Sequence, residues 1–455
     1  MRLRSLIHLA FALTLLGPIA AHAAPAAWPV KPDIVVAQDG GGDFTSIHAA
    51  VQSLPAGNRE RTLILVKNGV YQEKVRIDAA RVTLRGESRA GTRIEATVAQ
   101  GAGRDDRGQG VLNLAATAHD CVIENLTVRN THGQLGVHAF AIFGRADRTV
   151  IQDCDVLSHG NDTLSLWRGR AEDAGAVAAA MPADDLGVLQ DGGRYYHARL
   201  RVEGSVDFIC PRGWCYLVDS QITQLNPRAT AAMWHDGSNN PDKKFVLKNC
   251  TFDGPPDWYL ARRHHDGQFY FIDCRFSERM RDQPPYRQRY PMDGGTPTPD
   301  DIERTKRYDR TNVFGDRNYF FNSRRTGGDF AWHRDNLASA PGAPEPQQIT
   351  ARWTFAGTWD PERTDGPRVT SIAAEIAGKF LLTFSEAVTV KGSPRLAFAN
   401  GGSAAYTSGS GSAKLVFTAD NAAAHPGGPT LDFTHGTILA GEAGATLRTA
   451  DPATP

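Results

Sequence analysis

Cysteine is scarce in this 455-residue chain, and no two of its six cysteines form a C-x-x-C pair. That spacing opens most structural zinc sites, so its absence argues against a metal of that kind. A charge of one sign is also missing: 50 Lys and Arg offset 50 Asp and Glu. Nothing global therefore points to nucleic acid or to a membrane surface, although a basic groove can sit in a neutral chain. Neither a phosphate-binding loop nor a Gly-x-Ser-x-Gly elbow is present. The one long apolar run, from Leu6 to Leu16, follows Arg2 and Arg4 and precedes Ala21-His22-Ala23. It is too short to span a bilayer. A basic start, an apolar stretch and a small-x-small site predict a cleavable signal peptide over 1–23, hence a secreted or periplasmic protein without a membrane span. Six cysteines in a chain of this length are no disulfide framework, though Cys210 and Cys215 are close enough in sequence to bridge.

What the chain does have is internal repetition. An apolar pair, about two polar positions, then Cys or a substitute recurs. It reads Val150-Ile151-Gln152-Asp153-Cys154-Asp155-Val156, then Phe245-Val246-Leu247-Lys248-Asn249-Cys250-Thr251-Phe252, then Phe269-Tyr270-Phe271-Ile272-Asp273-Cys274-Arg275-Phe276. Weaker copies start at Cys121, Tyr216 and Tyr319. Cys250 and Cys274 stand 24 residues apart, the length of one solenoid repeat. One such strand unit cannot bury its own apolar face, but a stack of them makes a continuous core. A β-sandwich also has many short strands; the coil-length repeat of one pattern favours an all-β parallel β-helix.

The rest of the chain is organised around that stack. Residues 33–93 fit an opening cap, with an amphipathic helix ending at Pro55. The polar, Pro- and Arg-rich stretch 277–317 reads as a long loop, and 340–348 as a connector. The solenoid domain is expected over 24–360. Beyond Gly366, Gly, Ala, Ser and Thr dominate, and strands at 380–384 and 414–418 predict a small β-sandwich over 366–455.

Several segments carry a family resemblance. Asp39-Gly-Gly-Gly-Asp43-Phe44 with Gly69-Val70-Tyr71-Gln72-Glu73 resembles the N-terminal signature of pectin methylesterases. Asp162-Thr163-Leu164 is similar to that family's Q-D-T-L, Gly204-Ser205-Val206-Asp207-Phe208-Ile209 to its G-x-V-D-F-I-F-G, and Tyr259-Leu260-Ala261-Arg262 to its Y-L-G-R-P-W. The ordered set covers roughly 33–335 and implies a right-handed β-helix that hydrolyses methyl esters of pectin, without a cofactor or metal. The C-terminal part, around Leu382, Gly401 and Tyr406, resembles Ig-like bacterial surface modules. The implied partner is methyl-esterified homogalacturonan, bound by a monomer.

By this resemblance Asp207 is the nucleophile, Asp162 the acid and then the base, and Arg262 the group that holds Asp207. Elementary chemistry agrees in kind. Ester hydrolysis needs a nucleophile, a proton donor and oxyanion donors, and two close carboxylates tend to share one proton. An Asp between Val206 and Phe208 is costly unless paired. The departures are specific. The resemblance puts His138 and Asn161 where the family has two amide-donating glutamines; both can donate, but with different reach. Cys210-Pro211-Arg212-Gly213-Trp214-Cys215 replaces F-G-x-A, and Arg263-His264 replaces P-W. Trp167, Trp214, Tyr259, Phe208 and His264 are candidates for the sugar site, and Arg212 or Arg168 for meeting a carboxylate. His264-His265-Asp266 is not a metal motif, because adjacent strand residues face opposite ways. Two other readings stay open: a β-helix depolymerase, which would need further acidic residues, and a noncatalytic glycan-binding or adhesion protein.

Overall fold

The computed structural model describes 32–362, except 56, 59–60, 100–106, 168–191, 229–230, 238–239 and 293, and then 369–374, 378–398, 402–419, 430–432 and 436–440. The expected signal segment and Arg168 lie outside the described residues.

The chain winds as a right-handed parallel β-helix. Sheet A has ten parallel strands, in sequence order from Ile34–Val36 to Arg317–Phe321. Sheet B has nine, from Gly69–Tyr71 to Arg324–Arg325. Sheet C comes in two runs. Val75–Ile77, Leu112–Leu114, Ile142–Gly144 and Leu164–Leu166 form the first, and Met233–Trp234, Ala261–Arg263 and Tyr286–Arg287 the second. Ile209 and Arg212 bridge the two runs by parallel pairing on either side. The chain visits A, B and C in turn, so each circuit adds one strand to each sheet. Inward-facing Val, Ile, Leu and Phe then stack into one continuous core. Phe271, for example, lies parallel to Phe320 at 5.1 Å on the next coil. Burying each such side chain stabilises by roughly 1.5–3 kcal/mol.

The repeat has a backbone cause. On seven successive circuits two residues stand between sheets A and B, the first left-handed: Asn125, Asp153, Arg199, Asp219, Asn249, Asp273 and Asn322 have φ of 46–56°. Asn and Asp tolerate that region better than other side chains. The second residue points inward and is Leu, Cys or Ser. Cys250 Sγ donates to Leu217 O at 3.6 Å, and Ser323 Oγ to Phe271 O at 2.9 Å, each on the preceding coil. Burial pushes the Cys154 thiol up to about 12, so these cysteines stay protonated and act as small apolar donors. Asn249 Nδ2 also donates to Asp219 Oδ1 at 2.5 Å. Asn249→Ala is therefore expected to cost about 1–2 kcal/mol, since alanine lacks the short polar side chain that lets Asn adopt the left-handed region, and Asn249→Gly less; urea unfolding of the two variants checks the order.

The expected approach of Cys210 to Cys215 does not become a bridge: both are free, buried thiols. Cys210 lies in the row of sheet C and faces Ser165 Oγ at 3.3 Å, whereas Cys215 belongs to Gly213–Val218 of sheet A. Gly213, at φ 122°, turns the chain between them; a Cβ there would stand 2.3 Å from Gly193 O.

The ends of the stack are covered. Ile47–Gln52 caps the first coil, with Ser46 as N-cap and Glu73 accepting from Ser46 Oγ and the Ile47 and His48 amides. Phe330 and Trp332 stack at 5.0 Å beside Phe320 at the far end. Residues 337–359, in short helical turns, lay Leu337, Ile349, Phe355 and Trp359 on the outer face of sheet A. The stretch 277–317, expected as loop, contributes the sheet C strand Tyr286–Arg287 and the helix Pro299–Asp309, whose Thr298 and Asp301 form a capping box. Proline, arginine and charge hid both, since neither element presents a broad apolar face.

From Val369 onward the strands are antiparallel. Lys379–Gly392 pairs with Val369–Ala374, Ser412–Ala419 and Gly436–Ala440 around Leu382, Phe384, Leu396, Leu415 and Phe417. The two expected strands are neighbours there, with Phe380 opposite Phe417. Among the described residues no helix is long and apolar enough to cross a membrane.

Candidate active site

The site is set by register in sheet C. Ile142, Leu164, Ile209, Met233 and Ala261 are paired in one row and all point into the core. Two residues earlier on successive coils come Asp162, Asp207, Ala231 and Tyr259. Asp162 and Asp207 are thus register neighbours on adjacent coils, whose strands lie about 4.8 Å apart. Both are left-handed, with φ of 57° and 47°. Their amides are pinned, Asp162 N donating to Val206 O at 3.0 Å and Asp207 N to Ala231 O at 2.9 Å. Strained backbone held by its surroundings is what a pre-organised site requires.

Arg262 reaches back across one coil to Asp207. Its Nε donates to Asp207 Oδ1 at 2.9 Å and its Nη2 to Asp207 Oδ2 at 2.6 Å, a two-pronged fork. The intervening residue in Asp207's row, Ala231, is small and leaves the path open. Arg262 Nη1 donates to Gln288 Oε1 at 2.9 Å. Both members of the pair are buried. Asp162 is placed differently. Burial pushes its carboxyl up to about 6; the neighbouring Asp207 adds to the shift, while His138, Arg212 and Arg262 oppose it. The two aspartates therefore differ in environment: one is held by a guanidinium, and the other carries a proton up to mildly acidic pH.

The two substituted positions part company. His138 is exposed on one side, with Nε2 at 3.8 Å from Asp162 Oδ2. Asn161 is committed elsewhere: its Nδ2 donates to Gly136 O at 2.9 Å and its Oδ1 accepts from Ser205 Oγ at 2.8 Å. Asn161 thus ties two coils together, with only one amide hydrogen not engaged in that link.

Of the expected sugar contacts, Phe208 is corrected. It is fully buried in the core beneath Gly204, because strand alternation sends it inward when Asp207 faces out. Trp214 is corrected too: it stands in sheet A, past the Gly213 turn, where Nε1 donates to Asp242 Oδ2 at 3.3 Å. Tyr259 stays on the site's row; its ring lies 5.6 Å from Tyr286, and Arg281 Nη1 donates to its hydroxyl at 2.5 Å. His264 is clamped. Trp234 Nε1 donates to its Nδ1 at 2.9 Å, and its Nε2 meets Tyr290 Oη at 3.2 Å. Burial and the nearby Arg262 hold His264 well below its usual range, so it is neutral and positions Trp234 instead of offering a free nitrogen. Trp167 packs on Phe143 at 5.7 Å, and the Arg212 guanidinium lies 3.8 Å over its ring.

Trp234 and Gln288 belong to the site and were not anticipated. Ala231-Ala232-Met233-Trp234 repeats the spacing of Tyr259-Leu260-Ala261-Arg262, which is the signal that places Trp234 beside Arg262. Gln288 had no such signal, since it follows a two-residue strand inside the Arg-rich stretch.

With this geometry in view, the comparisons are specific. Residues 33–171 match the family model described as Pectinesterase. Over these residues the chain is similar to a pectinesterase domain. A probable pectinesterase/pectinesterase inhibitor of Arabidopsis thaliana is 27% identical over 234 residues, covering 50% of this chain and 37% of that protein. The chain thus spans little more than a third of that relative. The β-helix superposes on the pectin methylesterase PemA from Erwinia chrysanthemi with a TM-score of 0.53 at 20% identity, covering 73% of this chain and 99% of that one. A pectin methylesterase in complex with a hexasaccharide gives 0.52 at 20% identity, over 73% and 99%. The family match contains His138, Asn161 and Asp162 and stops before Asp207 and Arg262.

Proposed function

We propose that this protein is an exported pectin methylesterase that converts methyl-galacturonate units of homogalacturonan to galacturonate and methanol. The Asp162–Asp207 pair carries the proposal: two neighbouring carboxyls, one forked by Arg262 and the other titrating near 6. Asp207 attacks the ester carbonyl carbon, and the C–O bond to methoxide breaks as Asp162 delivers its proton to the departing oxygen. The uronate is then held as an anhydride with Asp207. Asp162, now ionised, takes a proton from water; the hydroxide attacks the uronate carbonyl, and Asp207 leaves as carboxylate. His138 Nε2, on the rim of the pair, is the candidate oxyanion donor. His138→Ala is expected to lower the rate by about a hundred- to a thousandfold and His138→Gln by less, read as methanol release at saturating pectin.

The pH dependence follows from Asp162. Its raised pKa keeps the proton on below about pH 6, the form that acylation needs. kcat/KM for methanol release should therefore fall as pH rises through that value. Asp162→Asn should lose that limb together with roughly a hundred- to ten-thousandfold in rate. A parent profile flat from pH 4 to 8 would remove Asp162 from the acid role. The commitment of Asn161 to Gly136 and Ser205 favours one other reading, a glycan-binding β-helix without turnover. Retention on a pectin column with no methanol released at any pH would select it.

A further inference from the structure

A cavity of about 250 Å³ opens on the outer side of sheet A, at the corner where the chain arrives from sheet C. Its floor is Lys244, Gln268 and Tyr270, all buried, and its rim includes Pro341 and Gly357, both exposed. Trp353, from the segment laid over sheet A, forms one wall and meets Tyr270 edge-on at 5.2 Å. The acid pair is elsewhere. Asp162 and Asp207 precede the sheet C row on their coils, on the side of sheet B, whereas Lys244 and Gln268 follow it.

Gln268 is the group that packing leaves unexplained. Its Nε2 donates to Pro241 O at 3.3 Å and to Lys243 O at 3.0 Å, which fixes the direction of the amide. Its Oε1 is then buried without a hydrogen-bond partner among the described residues, in a side chain only 1% exposed. Arg317, in register with Gln268 on the next coil, also donates to Pro241 O, at 2.6 Å, and its Nε and Nη2 lack partners too. Buried polar groups left unmet are costly. A hydroxyl can donate to Gln268 and accept from Arg317 at once, whereas a carboxylate has no proton to donate and an ammonium no lone pair to accept with. A second cation is also opposed by Lys244, whose Nζ donates to Asp242 Oδ1 at 2.5 Å and lies 4.8 Å over the Trp353 ring. Walls that are aromatic and polar together suit a ring with an apolar face and several hydroxyls. The volume falls below the roughly 300–1,000 Å³ of sites for larger ligands, so it takes one six-membered ring.

We propose that this cavity is a second carbohydrate site, separate from the acid pair, which takes a single neutral pyranose. Its hydroxyls meet Gln268 Oε1 and the Asp242 carboxylate, and its apolar face packs on Trp353 and Tyr270. The inference does not depend on the esterase reading. A site for neutral sugar, away from the acid pair, holds the protein on a glycan while leaving that pair open.

The test is calorimetric titration of the full chain with the methyl glycosides of glucose, galactose and mannose, and with galacturonate. The parent should bind at least one neutral glycoside, weakly as a single ring allows, and galacturonate less well. Trp353→Leu should weaken that binding roughly tenfold through loss of the aromatic wall. Gln268→Met should weaken it roughly threefold to tenfold, the range of one neutral hydrogen bond. Thermal unfolding checks each variant; if Gln268→Met does not fold, Trp353→Leu decides, because Trp353 is only half-buried. If the parent binds none of the neutral glycosides, the cavity holds water only and the proposal is overturned. Variants that bind as the parent does, or galacturonate bound as tightly as the best glycoside, overturn it equally.

Discussion

Asp207→Asn is expected to abolish methanol release from methylated pectin, a loss on the order of ten-thousandfold or more, as for other enzymes stripped of their nucleophile. The amide keeps the shape but offers one acceptor where the Arg262 fork uses two, and it removes the counter-charge, so the melting temperature should fall while the far-ultraviolet spectrum at the assay temperature stays that of the parent. That combination separates chemistry from folding. Activity within tenfold of the parent would leave the reaction without this nucleophile, whatever the fold resembles.

Arg262→Met carries the second large effect, on stability as well as on rate. Asp207 is buried and accepts both prongs of the Arg262 fork. Removing the guanidinium leaves a buried carboxylate without its counter-charge, a loss of about 3–5 kcal/mol for such pairs, with the partial exposure of Asp207 favouring the lower end. It also frees Gln288, whose Oε1 accepts from Arg262 Nη1. Arg262→Lys should be intermediate, since a single ammonium cannot make a planar fork. A double variant, Asp207→Asn with Arg262→Met, should recover much of the lost stability, because the unpaired charge is then gone. Chemical unfolding of the four proteins gives the coupling; additive losses would show that the pair contributes nothing as a pair.

Much of this site was legible before any coordinates, for a physical reason. A carboxylate between apolar strand residues is costly enough that Val206-Asp207-Phe208 had to have a partner, and the repeat pattern required a solenoid to stack on. The misreadings share a cause. In sequence Cys210 to Cys215 reads as one segment, which places Trp214 near the site and the two thiols within reach of each other. The structure turns at Gly213, whose lack of a Cβ is needed because the backbone of Gly193 passes so close. Phe208 follows Asp207 in sequence, but alternation along the strand sends it into the core. The Cys repeat itself was seen one residue late: Asn249 and Asp273 bend the chain, and the cysteines that follow fill the space behind the bend. Trp234 and Gln288 reach the site only through register and a long return of the chain, and local pattern carries neither.

The two-residue bend between sheets A and B also constrains how such a molecule can change. On the circuits where it occurs it has no slack; the wider corner, with residues 87–91 between Val82–Gly86 and Thr92–Ala96, lies near the start of the stack. Each circuit contacts only the ones above and below, which makes the stack close to a one-dimensional chain of coupled units. Unravelling should begin at whichever end loses its cover, the helix Ile47–Gln52 or the Phe330–Trp332 stack, and proceed circuit by circuit towards the middle. The Asp162–Asp207 pair sits well inside, with several coils on either side. The acid pair is thereby among the last parts to be exposed, and fraying at either end leaves its geometry intact.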